Sequence, residues 1–181
     1  LEIQEVDLEN LERFLIGFNQ DISTVDVVAV AVQDHGVFPK GTSNRRFRLE
    51  KMRQILERDP RPENLAFRKE ELPSRFLRMK SAGEAVQRQM PNATFLVMDT
   101  SIAAIVGCLR DASNVTKPVL AVNVGNDHTV AAALTRGKVA GILEHHTRSL
   151  TPEKAERLLR QFSDGTISDE EVFNDGGHGV F

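Results

Sequence analysis

The segment NVGNDHT, residues 123–129, combines the residue types best suited to holding a phosphate group. It separates two apolar runs, 119–122 and 130–134. A turn rich in Gly and Asn can take positive φ and direct successive backbone N–H groups towards one point. Such a group of amides binds anions, phosphate above all. We therefore predict a phosphate-binding turn with contacts from Asn123, Gly125, Asn126, Asp127, His128 and Thr129.

Polar side chains also follow two other apolar runs. Asp34 and His35 follow residues 25–32, and Asp99 follows residues 94–98. Ligand-contacting groups collect at the carboxyl ends of buried strands in α/β sheets. Asp34 and His35 either contact a ligand or order the next loop, and the residues leave both readings open. Asp99 is the candidate for a hydrated magnesium ion, because hard cations prefer carboxylates.

Two adjacent histidines end a third apolar run. Strand alternation sends neighbouring side chains to opposite faces, so His145 and His146 are not expected to bind one ion together. One of them is a candidate acid/base group, since imidazole titrates near neutral pH. The residues leave open which of the two faces the cleft, and the other is a surface or satisfied core histidine. His145 joins Asp34, His35 and Asp99 as the catalytic candidates.

Three glycines occur in the four positions 176–179. Glycine has a high entropic cost, so this density indicates a tight turn or a close approach of the backbone to a ligand. Gly176 and Gly177 are therefore candidate ligand contacts. A plain hairpin turn and terminal disorder remain as alternatives.

Composition excludes several classes of protein. The 181 residues are 40% hydrophobic and 27% charged, with a net charge of -3 and a pI near 6.0. This balance gives no general basic field, so neither nucleic acid nor an anionic membrane is an expected partner. We expect a cytoplasmic protein without a membrane span, forming a single α/β domain over 1–181. The chain does not begin with Met, and we expect it to be a fragment of a longer protein.

The apolar runs also predict the fold. Runs at 119–122, 130–134 and 139–143, separated by turn residues, predict an antiparallel three-strand meander within a mixed sheet. Residues 25–32 and 94–98 predict buried strands, the first covered on both faces. Residues 6–20 predict an amphipathic helix that covers the sheet, and helix starts are predicted at Thr151 and, by a capping box, at Ser168.

Residues 45–90 are predicted to form an all-helical insertion, with helices over 45–58 and 71–90. The first helix places Phe47, Met52, Ile55 and Leu56 on one face. Its basic residues either steer a phosphate ligand or form a solvated face, and we favour the solvated face. Those residues are Arg45, Arg46, Arg48, Lys51 and Arg53.

The segment NVGNDHT resembles the Asp-x-Gly-x-x-Thr phosphate hairpin of the actin, sugar-kinase and heat-shock-chaperone ATPase superfamily. Its Gly-Asn pair is similar to the turn of type III pantothenate kinases. The resemblance implies a ribonuclease H-like, actin-like ATPase lobe that binds ATP and magnesium, with Gly176 and Gly177 near the adenosine. Asn123 stands where the superfamily usually has an Asp that helps to hold the metal, and Thr129 lies one place later than in the chaperone pattern. Phosphate binding survives these changes more easily than hydrolysis does.

The segments QDHG, MDT and DGGHG are similar to a family labelled putative pyruvate formate-lyase activating enzyme, over most of the chain. A radical enzyme of that kind needs three cysteine thiolates on an iron–sulfur cluster. This chain contains one cysteine, Cys108, in a predicted apolar helix where we expect a buried thiol. We therefore expect no iron–sulfur cluster.

The leading hypothesis is a nucleotide- or phosphate-ester-binding lobe of an actin-like ATPase or kinase, with a small phosphorylated ligand as partner. One alternative is a non-catalytic binding domain that retains the fold. Another is a metal-dependent hydrolase that uses Asp34, His35 and His178. The residues leave the substrate and the oligomeric state open.

Overall fold

The computed structural model describes residues 5–41, 43–111 and 117–181. The strands are β1 (Val27–Ala31), β2 (Ala66–Phe67), β3 (Thr94–Met98), β4 (Val119–Val124), β5 (His128–Thr135), β6 (Lys138–His146) and β7 (Gly179–Val180). The helices are α1 (Leu8–Ile16), α2 (Asn44–Leu56), α3 (Leu77–Gln89), α4 (Thr100–Asp111), α5 (Pro152–Ser163) and α6 (Asp169–Asn174). The chain forms two compact units, one from Leu1–Val37 and Ala66–Thr100 and one from Phe38–Leu65 and Ser101–Phe181. Among the described residues, no helix combines the length and apolar character that crossing a membrane requires.

The first unit contains a three-stranded sheet in the order β1-β3-β2. Strands β1 and β3 are parallel, with Val27 opposite Thr94 and Ala31 opposite Met98. Strand β2 pairs antiparallel with β3. Both predicted strands are therefore confirmed, and the sheet is mixed.

Two predictions about the first unit are wrong. Strand β1 is not covered on both faces, because exposed and half-buried residues alternate along it and Val27 is 50% exposed. Helix α1 packs against α3 and buries only Leu8 among its residues, while Phe14 is 63% exposed. A strand that is covered on both faces buries the side chains on both faces. In the described part of the first unit, only one face of β1 is covered, so its side chains alternate between half-buried and exposed.

The second unit contains a four-stranded antiparallel sheet in the order β4-β5-β6-β7. Its first three strands confirm the predicted meander. Arg136 (φ 53°) and Gly137 (φ 73°) form the turn between β5 and β6. Two successive residues with positive φ match the right-handed twist of the strands that they join. Strand β7, which the sequence does not predict, adds to β6 with Gly179 opposite Glu144.

Helices α5 and α6 pack onto this sheet through Phe162 and Val172, which lie in one apolar cluster with Ala131 and Leu143. Both predicted helix starts are confirmed. The Thr151 side chain caps α5, whose first residue is Pro152, and Ser168 forms a capping box with Glu171 at the start of α6. A cap of this kind satisfies backbone N–H groups that have no partner inside the helix.

The stretch 45–90 is not all-helical. It contains β2 and two short 3-10 turns, Pro62–Leu65 and Lys69–Glu71, and it is divided between the two units. Helix α3 begins at Leu77 rather than near residue 71. Pro73 disfavours a helical conformation in the residue before it, and Leu72 is accordingly extended at φ -62° and ψ 123°.

Candidate functional site

Three histidine rings meet at one end of the four-stranded sheet. His128 begins β5, His146 ends β6, and His178 directly precedes β7. Each ring centroid lies 4.8 Å from the other two. We call this group the three-histidine cluster.

The sheet register brings the cluster together. His128 lies directly opposite His146 in the β5–β6 ladder. Opposed residues in an antiparallel pair project on the same face. The backbone N–H of His178 donates to the carbonyl of Glu144 at 2.9 Å, which fixes the third histidine beside β6.

A buried ion pair lies next to the cluster. The Arg48 guanidinium bonds to the Glu144 carboxylate, and each side chain is 1% exposed. The other carboxylate oxygen of Glu144 lies 3.9 Å from Nδ1 of His178. Removing a charge from water costs several kcal/mol, so a fully buried pair needs good geometry and further polar neighbours. His178 of the three-histidine cluster lies beside the carboxylate on one side.

His145 has different partners from His146, as strand alternation predicts. Its side chain is completely buried, with Nδ1 3.1 Å from the His146 carbonyl oxygen and Nε2 3.2 Å from Asp175. Lys154 also bonds to Asp175, at 2.7 Å. Both ring nitrogens of the predicted acid/base group are therefore engaged by the protein, and His146 is the member of the pair in the cluster.

Two ionisable groups in this region have shifted pKa values. Burial lowers the pKa of His146, and the nearby positive charges of His145 and Arg45 lower it further, so its neutral imidazole is favoured. Burial raises the pKa of Asp175, but the hydrogen bond and charge of Lys154 outweigh this, leaving the pKa below its usual value.

The predicted phosphate-binding turn spans Gly125 to Asp127, between β4 and β5. The Gly125 N–H donates to the His128 carbonyl at 3.0 Å, and the Thr147 hydroxyl donates to the Gly125 carbonyl at 2.7 Å. Thr129 is buried and its hydroxyl lies 3.0 Å from that of Thr147. Asn126 and Asp127 are exposed at the tip.

No residue from 123 to 128 has a positive φ. The prediction that positive φ values direct the backbone N–H groups of this turn towards one point is therefore wrong. Asn123 lies within β4, opposite Val130. Because β4 continues through Val124, only three residues form the turn. Position 125 requires glycine because a Cβ there would lie 2.9 Å from the His128 carbonyl oxygen.

Asp34 and Asp99 lie together in the first unit. Both are buried, and the Asp34 N–H lies 3.5 Å from an oxygen of Asp99. The Asp34 carboxylate accepts from the N–H groups of Gly36 at 2.9 Å and Met79 at 3.0 Å. Asp34 therefore orders the following turn and caps the start of α3, which is the structural reading of the two left open. His35, half-buried, lies within the loop that this contact orders.

Gly176 and Gly177 both have a structural reason for being glycine. Gly176 has φ 94° just after α6 ends. A Cβ on Gly177 would lie 2.7 Å from Cδ2 of His145 and 2.7 Å from Cγ1 of Val172. Arg45 donates to the Gly177 carbonyl at 2.8 Å. The segment thus leads from α6 into β7 and is not a hairpin turn.

The sequence reasoning missed Arg48, which it placed on a solvated face. Helix α2 buries Arg48, Leu49, Met52 and Leu56, so the predicted apolar face was displaced by about one residue. Arg48 lies four positions before Met52 and eight before Leu56, a spacing that would have placed it on the buried face. Cys108 was also misassigned, because its side chain is exposed.

The residues present do not fit an iron–sulfur cluster. Such a cluster needs three or four thiolates, and this chain offers the single exposed Cys108. The polar groups gathered at the sheet end are imidazoles, a carboxylate and a guanidinium. Their chemistry is hydrogen bonding, proton transfer and metal ligation.

The chain matches the model of a protein family over its whole length. No curated protein and no solved structure matches the chain. The profile of one family covers residues 1–181, and the family is described as "Putative pyruvate format-lyase activating enzyme (DUF1786)". The chain belongs to this family over its whole length.

Proposed function

We propose that this protein binds a phosphate-bearing small molecule, a nucleotide or a phosphate ester, at the sheet end that carries the β4–β5 turn. The observation that carries the proposal is the three-histidine cluster directly behind that turn. A neutral imidazole offers one N–H donor and a charged imidazole offers two, so three rings suit a group with several acceptor oxygens.

The turn supplies the second set of contacts. The Gly125 amide is already bonded to His128, so the proposal assigns the phosphate to the amides of the exposed residues Asn126 and Asp127. Arg148, 84% exposed, lies 3.3 Å from the Asp127 carboxylate and offsets its charge. This pairing lowers the repulsion that Asp127 would exert on an anion.

The resemblance of residues 123–129 to the actin-like ATPase hairpin supports the same ligand class. It further implies ATP with magnesium. Asp99, the residue that the sequence predicts for that ion, lies in the first unit and is not part of the contacts proposed here.

Asn123 favours binding without hydrolysis, which is the second candidate function. An amide brings no net charge to a metal, whereas the carboxylate usual in the superfamily does. The variant Asn123→Asp separates the two functions. Gain of magnesium-dependent nucleotide hydrolysis would indicate a degenerate ATPase, and continued binding without turnover would indicate a non-catalytic binding domain.

The direct test is titration of the intact protein with ATP and with a fluorescent ATP analogue, with and without magnesium. We expect binding at sub-millimolar nucleotide that Gly125→Ala weakens at least about tenfold, since its Cβ would push the His128 carbonyl and move the turn. Gly107→Ala is the matched control, because a Cβ at that position meets no atom within 4 Å. Absence of binding at millimolar nucleotide would overturn the proposal.

A further inference from the structure

The three-histidine cluster has the spacing of a metal site. A nitrogen of His128 and a nitrogen of His178 lie within 4.8 Å of each other, and the His146 ring centroid lies 4.8 Å from both other rings. In a tetrahedral site, metal–nitrogen bonds of about 2.0–2.1 Å place the centres of neighbouring imidazoles about 5 Å apart. The separation of the three ring centroids therefore matches that of three imidazoles around one ion.

We propose that His128, His146 and His178 bind one divalent transition-metal ion. Three imidazoles form a donor set that suits zinc, cobalt, nickel or copper rather than magnesium or calcium, which prefer oxygen ligands. Three protein ligands also leave the fourth tetrahedral position open to water or an anion. The site uses the same three rings that the proposed function places behind the phosphate-binding turn. A titration with metal alone nevertheless tests it without any nucleotide.

Glu144 is the outer partner of this site. Ligating histidines usually hold their second nitrogen against a carboxylate, which orients the ring and raises its basicity. Nδ1 of His178 lies 3.9 Å from Glu144, and Arg48 holds that carboxylate from its other side. The arrangement assigns Nε2 of His178 to the metal.

His146, and not its neighbour His145, is the third ligand, because its ring centroid lies 4.8 Å from the other two. His145 cannot substitute for it, since the ring lies between the His146 carbonyl and Asp175.

The backbone around the cluster also restrains the ligands before an ion arrives. His128 and His146 are held opposite each other by the β5–β6 ladder, and His178 is tied to Glu144 by its own N–H. Ligands on strands are positioned more firmly than ligands on loops, so little ordering entropy opposes metal binding.

Titration with metal alone tests the site. The purified chain is treated with a chelator, dialysed, and titrated with Co²⁺ followed by absorption and with Zn²⁺ followed by calorimetry. We expect one equivalent of each ion and the intense visible bands of tetrahedral cobalt. His128→Ala and His146→Ala, at half-buried positions, should each weaken binding at least about 100-fold.

Two further variants control for indirect effects. Glu156→Gln, on α5 where the exposed carboxylate pairs with Arg160, should leave the affinity within about twofold. Glu144→Gln should weaken binding about 10–100-fold, as expected of an outer partner; circular dichroism must show the native fold for this comparison. No stoichiometric binding by the wild-type chain, or equal binding by wild type and both alanine variants, would overturn the proposal. The titration contains no nucleotide, so failure of the metal site is read separately from failure of nucleotide binding, which the ATP titration measures.

Discussion

Arg48 of helix α2 and Glu144 of strand β6 form an ion pair in which each side chain is 1% exposed. The two residues are 96 positions apart in the chain. Strand β6 therefore carries a carboxylate in its buried section, next to the rings that define the candidate site.

Breaking the ion pair should destabilise the protein strongly. Arg48→Met and Glu144→Gln each leave the other charge buried without its main partner, which costs about 3–5 kcal/mol. Urea denaturation followed by circular dichroism measures the change. The double variant Arg48→Met/Glu144→Leu should recover much of the loss, because an apolar pair carries no desolvation cost. Single variants that lose less than about 1 kcal/mol would contradict this account of the pair.

A methyl group at position 177 should be poorly tolerated. The Cβ of Gly177→Ala would meet His145, the Val172 side chain and, at 2.9 Å, the Val172 carbonyl oxygen. Overpacking of this kind typically costs about 1–3 kcal/mol. Gly107→Ala in α4 is the matched comparison, since it lies in open space and should stabilise by about 0.5–1 kcal/mol. Thermal unfolding of the two variants should therefore shift in opposite directions.

The Asp175–Lys154 contact should make stability depend on acid pH. The pKa of Asp175 is lowered in the folded state, so its contribution is present above the unfolded value of about 3.9 and is lost as pH falls through the folded value. Lys154→Met should raise the pKa of Asp175, because only burial and the weaker partners remain. Carboxyl-carbon NMR titration of both proteins measures the shift. An unchanged pKa would show that Lys154 is not the dominant partner.

Cys108 should react as an accessible thiol. Its side chain is exposed on α4, contrary to the expectation from the apolar sequence around it. A disulfide reagent added to the native protein should therefore modify one thiol at a rate close to that of the urea-unfolded chain. Protection by more than about 100-fold, as for a buried thiol, would contradict the exposed placement.

Local patterns determined much of the secondary structure. The meander followed from apolar runs separated by turn residues, and the starts of α5 and α6 followed from Thr151-Pro152 and from the capping box at Ser168. These features depend on interactions within a few residues. They were therefore readable from the chain alone.

The sequence identified the polar residues at the candidate site only in part. His128 was predicted as part of the 123–129 turn and His178 as a residue of the metal-dependent hydrolase alternative, whereas His145, not His146, was named as the catalytic candidate. Strand alternation separated His145 from His146 correctly. What the spacing could not provide was the partner of each side chain.

The sequence alone thus determined β1, β3 and the β4–β6 meander, the turns between the meander strands, and the helix caps. Only the tertiary structure decided that β7 adds to β6, that Arg48 is buried against Glu144, and that His146 rather than His145 joins His128 and His178. The physical reason is the distance along the chain between the residues that interact. Turns and caps are set by neighbours in the sequence, whereas the burial of a charge depends on a partner that only the folded chain brings into contact.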